Sequence, residues 1–208
     1  MIINRIDDMK KTIFIVGTML CCLSVIAQTK FSGVIVNQSF SAFSEKMSNK
    51  FELITHDSPV LPIGQKYLVN RYKLSFLGYE NTELVVEKNY EKDEVKLVRI
   101  IPPLHCYYWD NIDKSCVDYY NANAIVILSV YTKKFGEAQS DVEIKKMTEG
   151  EYLYNYYKWD RGDVIINLTM ITGLSKSPDF WADITLFRDL YIEYVVKQNH
   201  EKVDIQDI

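Results

Sequence analysis

Two segments of the chain carry apolar residues at helical spacing. Within residues 40–51 they recur every three or four positions after Ser39, a favourable residue for the start of a helix. A longer apolar stripe comprises Val117, Tyr120, Ala124, Ile127, Leu128, Tyr131 and Phe135. Gly136 follows this stripe, and glycine commonly ends a helix because it accepts a left-handed backbone. The spacing therefore predicts two amphipathic helices, each with one face in a core.

Most of the remaining chain alternates apolar and polar residues, which is the pattern of half-buried β-strands. The predicted strands cover residues 31–36, 67–77, 82–88, 94–101, 140–147, 151–159, 164–171 and 180–188, and residues 190–197 continue as a strand or a short helix. Asp160-Arg161-Gly162-Asp163 separates two of them and has the composition of a hairpin turn, which we prefer to an adhesion motif. Residues 173–178 are expected to form a loop. The pattern predicts an α+β protein.

One short sequence occurs twice. The segment 152–158 matches the segment 67–73 at five of seven positions, and a Lys-Phe pair precedes both copies at nearly the same distance. Such a match indicates an internal repeat. We therefore predict two pseudo-equivalent repeats, residues 28–104 and 105–197, each a helix followed by antiparallel strands. They would form one compact body with the helices on one sheet face, followed by a polar tail at residues 198–208.

Strand alternation divides the repeated segment into two faces. The face expected to pack on the helices holds Leu68, Asn70, Tyr72 and Leu74 in the first copy, and Leu153, Asn155, Tyr157 and Trp159 in the second. The opposite face carries Tyr67 and Arg71 in the first copy, and Tyr152, Tyr154 and Tyr156 in the second. If helices cover only one side, these tyrosines are exposed and are candidates for binding a protein or a glycan. Cross-strand tyrosine pairs covered by a loop are the alternative.

Residues 1–27 have the pattern of a secretory signal peptide. Lys10-Lys11 forms a short basic region, an apolar run follows, and Ala27-Gln28 is a suitable cleavage junction. The run is short for a membrane span, and the residues before Cys21 are larger than a lipoprotein leader requires. We therefore expect an exported protein, periplasmic or extracellular, without a stable membrane span once the leader is removed, and a lipid-anchored form is the alternative.

After leader removal the chain keeps two cysteines, Cys106 and Cys116. An even pair in an exported protein predicts a disulfide bond. Asp110, Asn111 and Asp113 lie between them but lack the glycine and the closing acid of a calcium loop. The histidines do not have metal-ligand spacing, and there is no Gly-rich phosphate loop. We therefore expect no metal and no cofactor.

Charge and composition narrow the possible functions. The 208 residues include 24 basic and 28 acidic ones, a net charge of −4, so nucleic-acid binding lacks its usual basic surface. Tyrosine is abundant, with 15 residues. The leading hypothesis is an exported, non-enzymatic interaction module that uses the aromatic sheet face. One alternative is a small extracellular hydrolase built on His56 or His105, although no local motif such as Gly-x-Ser-x-Gly supports it. The other is a structural envelope component.

Three short motifs carry a resemblance to known proteins. They are the Ala27-Gln28 leader junction, the helix end Lys133-Lys134-Phe135-Gly136, and Tyr157-x-Trp159 before a turn and an apolar strand. In these features the chain resembles small secreted proteins of Bacteroides-like bacteria. Its architecture is also similar in outline to the tandem repeat of β-lactamase inhibitor proteins. The resemblance implies a secreted α+β protein with a tandem repeat, and it implies no functional residue.

Overall fold

The computed structural model describes residues 28–57, 68–89, 91–108, 114–147, 150–175 and 185–197. Within these ranges the helices are α1 (Phe40–Ser48) and α2 (Lys114–Phe135). The strands are β1 (Lys30–Phe31), β2 (Val34–Ile35), β3 (Glu52–Asp57), β4 (Val69–Phe76), β5 (Tyr79–Lys88), β6 (Val95–Ile101), β7 (Cys106–Tyr108), β8 (Gln139–Met147), β9 (Gly150–Asp160), β10 (Val164–Ser175) and β11 (Thr185–Val196). The predicted leader, Tyr67, Asp110 and the polar tail lie outside the described residues. No helix in the described ranges is long and apolar enough to cross a membrane.

Nine strands form one antiparallel sheet, and β1 and β2 form a separate small hairpin. The order in the sheet is β3-β4-β5-β6-β11-β10-β9-β8, and β7 pairs with one end of β11. The predicted α+β class is therefore confirmed. The order from β3 to β8 has two halves of four strands. Along the chain, α1 precedes β3 to β6 and α2 precedes β8 to β11. The last strands of the two halves, β6 and β11, pair with each other at the centre of the sheet. That the halves are copies of one repeat stays a prediction.

Helix α1 shows how local sequence fixes an element. The Ser39 side chain accepts a hydrogen bond from the Ala42 amide at 3.3 Å, as expected of an N-cap residue. The helix ends at Ser48, so Phe51 lies in the connection to β3 rather than in the helix as predicted. Strand β3 was not predicted, because a register shift between Leu53 and Thr55 interrupts its alternation.

The core lies between both helices and one face of the sheet. Its fully buried side chains include Phe43 and Met47 from α1, Ile127 from α2, and Tyr72, Leu84, Ile100, Ile166, Leu168, Leu190 and Ile192 from the sheet. Two residues of β9 that were predicted to face the helices are confirmed in that position: Trp159 is buried, and Tyr157 packs against the core. The Trp159 indole donates a hydrogen bond to the Gly136 carbonyl at 2.8 Å and so joins β9 to the end of α2.

Two predicted element boundaries are corrected. Residues 31–36 form the hairpin β1–β2 rather than one strand, because Ser32 and Gly33 adopt positive φ angles of 48° and 81° and turn the chain. Gly173 belongs to β10 rather than to a loop. For residues 190–197 the strand alternative is confirmed, since up to Val196 they belong to one continuous strand, β11, which starts at Thr185. The predicted hairpin turn at Asp160–Asp163 is confirmed, with Gly162 in the left-handed conformation.

The predicted cysteine pair is confirmed. Cys106 and Cys116 lie at disulfide distance, with their Cα atoms 6.3 Å apart. Cys106 starts β7 and Cys116 lies in the first turn of α2. The bond therefore attaches the start of α2 to the sheet beside β11.

Candidate binding face

The sheet face opposite the helices is called the open face here. Register and alternation place four consecutive strands of the second half on it, with Tyr156 of β9 opposite Thr169 of β10, and Thr169 opposite Tyr191 of β11. At the outer strand β8, Asp141 lies opposite Tyr156. One row of the sheet thus brings together two tyrosines, a threonine and an aspartate from four strands.

A groove with a volume of about 490 Å³ follows this row on the open face. It is lined by Gln139, Ser140, Asp141, Tyr156, Lys158, Asn167, Thr169, Tyr191 and Glu193. The volume is within the range of small-ligand sites. We call it the open-face groove.

The first wall of the groove is Tyr156. Its ring stacks on that of Tyr154, with centroids 5.8 Å apart and planes inclined by 12°. Its hydroxyl donates to the Glu143 carboxylate at 3.0 Å, and Lys145 lies 3.3 Å from the same carboxylate oxygen. The Lys145 ammonium also lies 4.6 Å from the Tyr154 ring centroid. Burial and the Glu143 hydrogen bond raise the pKa of Tyr156.

The second wall is Tyr191, which is half-buried in β11. The Arg99 guanidinium lies 5.4 Å from its ring centroid and binds the Glu193 carboxylate with nitrogen–oxygen distances of 2.8 and 2.7 Å. Burial raises the pKa of Tyr191, and a hydrogen bond with Thr169 opposes part of that effect. The Tyr191 side chain is therefore held by contacts from the two neighbouring strands, β6 and β10, which pre-organises the wall.

Charges in the groove nearly cancel. Glu193 is paired with Arg99, so Asp141 and Lys158 are the remaining charged side chains in its lining. The amides of Gln139 and Asn167 supply both donors and acceptors. A groove with this balance favours a ligand without strong net charge.

The structure separates the predicted site residues into two places. Tyr152, Tyr154 and Tyr156 lie half-buried on β9, and the register puts all three on the open face. Arg71 lies on the same face of β4, where it forms an ion pair with Glu83. Five strand spacings separate β4 from β9, which is about 24 Å across the sheet. Arg71 is therefore not part of the groove, and Tyr67 lies outside the described residues.

Most residues of the groove lining were not predicted from the sequence. Asn167 and Thr169 alternate with apolar residues in β10, which was a usable signal for a polar sheet face. Tyr191 and Glu193 show the same alternation in β11. Their meeting with Tyr156 depends on strand order and register, which alternation within one strand does not determine.

The histidines considered for a hydrolase lie elsewhere. His56 is exposed on β3, and its imidazole Nδ1 contacts the Asn70 side-chain oxygen. The Asn70 amide nitrogen donates to Ser44 Oγ at 3.0 Å and to the Tyr72 hydroxyl at 3.2 Å. In these contacts an amide separates the imidazole from the serine, whereas a nucleophilic serine needs the base within hydrogen-bond reach. His105 is exposed just before β7.

Comparison of the chain with protein-family models, with curated proteins and with solved structures found no match. Among the residues that the structure describes, no three His, Cys, Asp or Glu side chains are grouped so that they could hold a metal ion.

Proposed function

We propose that the chain is an exported, non-enzymatic binding module whose open-face groove binds a neutral glycan. The observation that carries this proposal is the groove itself, in which two tyrosine walls enclose a floor of amide and hydroxyl groups. The export part of the proposal rests on the leader pattern of residues 1–27 and on the Cys106–Cys116 pair.

Stacking and hydrogen bonding suit a sugar. A sugar ring has an apolar C–H face, which packs on an aromatic ring, and a rim of hydroxyls that both donate and accept hydrogen bonds. Tyr156 and Tyr191 offer the rings, and the half-buried Asn167 of the lining offers an amide that donates and accepts hydrogen bonds. Thr169 lies between the two tyrosines in the row, where it is buried and bonds to Tyr191. The near-neutral lining removes the electrostatic attraction that a sulfated or acidic ligand would need.

The distribution of exposed apolar residues favours a glycan over a protein. Protein interfaces are centred on well-packed apolar and aromatic anchors. In the described part of the chain, the large exposed hydrophobic side chains are Leu53, Ile54, Leu77, Tyr119, Ile125, Val126, Val130, Val142 and Ile144. None of them lines the groove.

The test is direct binding to glycans. Residues 28–208 would be incubated with an array of neutral and acidic glycans, and the strongest ligand would be titrated by calorimetry. Tyr156→Ala and Tyr191→Ala should each weaken binding about tenfold or more, since each removes a stacking surface. Tyr156→Phe keeps the ring and should retain most of the affinity.

Tyr119→Ala is the matched control, because Tyr119 is 58% exposed on α2, remote from the groove lining. Its affinity should equal that of the wild type. If all neutral glycans fail to bind while acidic glycans or an identified protein bind through Tyr156, the groove is a binding site with a different ligand. Equal loss in all three alanine variants would contradict the site.

A further inference from the structure

We infer that β8 is a self-association edge, on which a second copy of this chain adds its own β8 in antiparallel orientation. The two sheets would then continue into one another across a two-fold axis. This inference concerns a different surface from the groove and does not depend on the glycan proposal.

The two edges of the sheet differ. The register shift between Leu53 and Thr55 interrupts the pairing of β3 with β4, and such bulges commonly blunt an edge. The other edge, β8, pairs with β9 over nine consecutive positions without a shift. Among the described residues, no strand pairs with the outer side of β8. A long, regular edge is a template for a further strand.

The face of β8 on the helix side is apolar and uncovered. Val142 is 61% exposed and Ile144 is 64% exposed. They lie opposite Asn155 and Leu153 of β9, on the side of the sheet where the core lies. Exposed apolar residues on an edge strand indicate burial by a partner.

The charges of β8 favour a second copy in antiparallel orientation. Asp141 lies in its first half, Glu143 lies at its midpoint, and Lys145 and Lys146 lie in its second half. Antiparallel pairing centred on Glu143 puts each Asp141 opposite Lys145 of the second copy, and each Val142 opposite Ile144. A parallel, in-register copy would instead place like charges opposite one another.

Two contacts within the chain fit this pairing. At the centre of the pairing, Glu143 would face Glu143 of the second copy. The negative charge of each is compensated within its own chain, because Lys145 lies 3.3 Å from the carboxylate and Tyr156 donates a hydrogen bond to it. The Val142 amide donates to the Asp141 carboxylate at 2.8 Å. A carbonyl of the second copy would replace this acceptor, and Asp141 would then be released to pair with Lys145 of that copy.

The pairing has a consequence for the open face. A two-fold axis perpendicular to the sheet keeps both open faces on the same side, so two grooves would lie side by side. Asp141 lines the groove, so Lys145 of the second copy would lie at its margin. Because a single pair of strands buries little area, the dimer should form only at micromolar or higher concentration.

The experiment is sedimentation velocity of residues 28–208 over a range from low micromolar to millimolar concentration. The wild type should shift from monomer to dimer with rising concentration. Val142→Lys with Ile144→Lys should stay monomeric, because lysines replace the apolar pairs. Leu53→Lys with Ile54→Lys is the matched control on the other edge, where those side chains are 46% and 51% exposed, and it should dimerise like the wild type.

A cysteine substitution tests the register. Glu143→Cys should form an intermolecular disulfide under mild oxidation, since the two copies of position 143 face each other, and Glu52→Cys on β3 should not. A wild type that stays monomeric at every concentration overturns the inference. This holds both if β8 is exposed to solvent and if another segment of the same chain covers it. Equal loss of the dimer in both lysine variants also overturns it.

Discussion

Neighbouring tyrosines in β9 have opposite environments because successive side chains point to opposite faces of a strand. Tyr157 packs against the core, whereas Tyr156 lies on the open face and donates to Glu143. The same residue type therefore supports the fold at one position and a candidate site at the next. Alternation in the sequence was sufficient to assign both.

Trp159 gives a prediction at this scale. It is 3% exposed, contacts the rings of Tyr131 and Phe135, and donates to the Gly136 carbonyl. Trp159→Ala should lower the free energy of unfolding by about 3–5 kcal/mol, because it leaves a cavity and an unsatisfied carbonyl. Urea denaturation measures this value. Tyr119→Ala should change it by no more than about 0.5 kcal/mol, and a loss of similar size in both variants would contradict the role of Trp159.

At the scale of elements, the helices and the hairpin of β9 and β10 were predictable because their signals are local. The apolar stripe fixed α2, and Asp160–Asp163 fixed the turn between the two strands. Strand β3 was missed because a bulge breaks its alternation, and β1 with β2 was predicted as one strand because its turn is only two residues long. Both failures have the same cause: the hydropathy pattern alone does not show where a strand departs from regular alternation.

The contact of α2 with β11 predicts a pH dependence. The hydroxyls of Tyr131 and Tyr194 lie 3.0 Å apart in the core. Burial raises the pKa of Tyr194 from 10.0 to about 12, and it raises the pKa of Tyr131 well above its usual value. Unfolded tyrosines ionise near pH 10, so the stability that these hydroxyls contribute is complete below that pH. It should be lost as the pH rises from about 10 through about 12.

Tyr131→Phe with Tyr194→Phe tests this dependence. Replacing both hydroxyls should change stability little at neutral pH, because no partner is left unsatisfied. Its alkaline unfolding midpoint should move to higher pH than that of the wild type. Denaturation curves between pH 8 and 12, with Tyr119→Phe as the exposed control, provide the measurement. Identical alkaline midpoints in all three proteins would contradict the assignment.

At the scale of the whole molecule, the sheet has one face for the core and one face for the candidate site. The helices pack on the first, and the open-face groove lies on the second. The sequence allowed one wall of this site to be predicted, because Tyr156 follows from alternation. The wall contributed by Tyr191 could not be predicted, since it depends on β11 lying next to β10 and on their register. Arg71 was assigned to the same site but lies four strands beyond β10 in the sheet order.

The central claim is that the open-face groove is the ligand site. Hydroxyl-radical footprinting with and without the glycan identified on the array tests it at individual side chains. We predict that Tyr156 and Tyr191 lose reactivity when the glycan is bound, while Tyr119 on α2 keeps its reactivity. Unchanged reactivity at Tyr156 and Tyr191, with protection at Tyr119 or along α2, would contradict the claim.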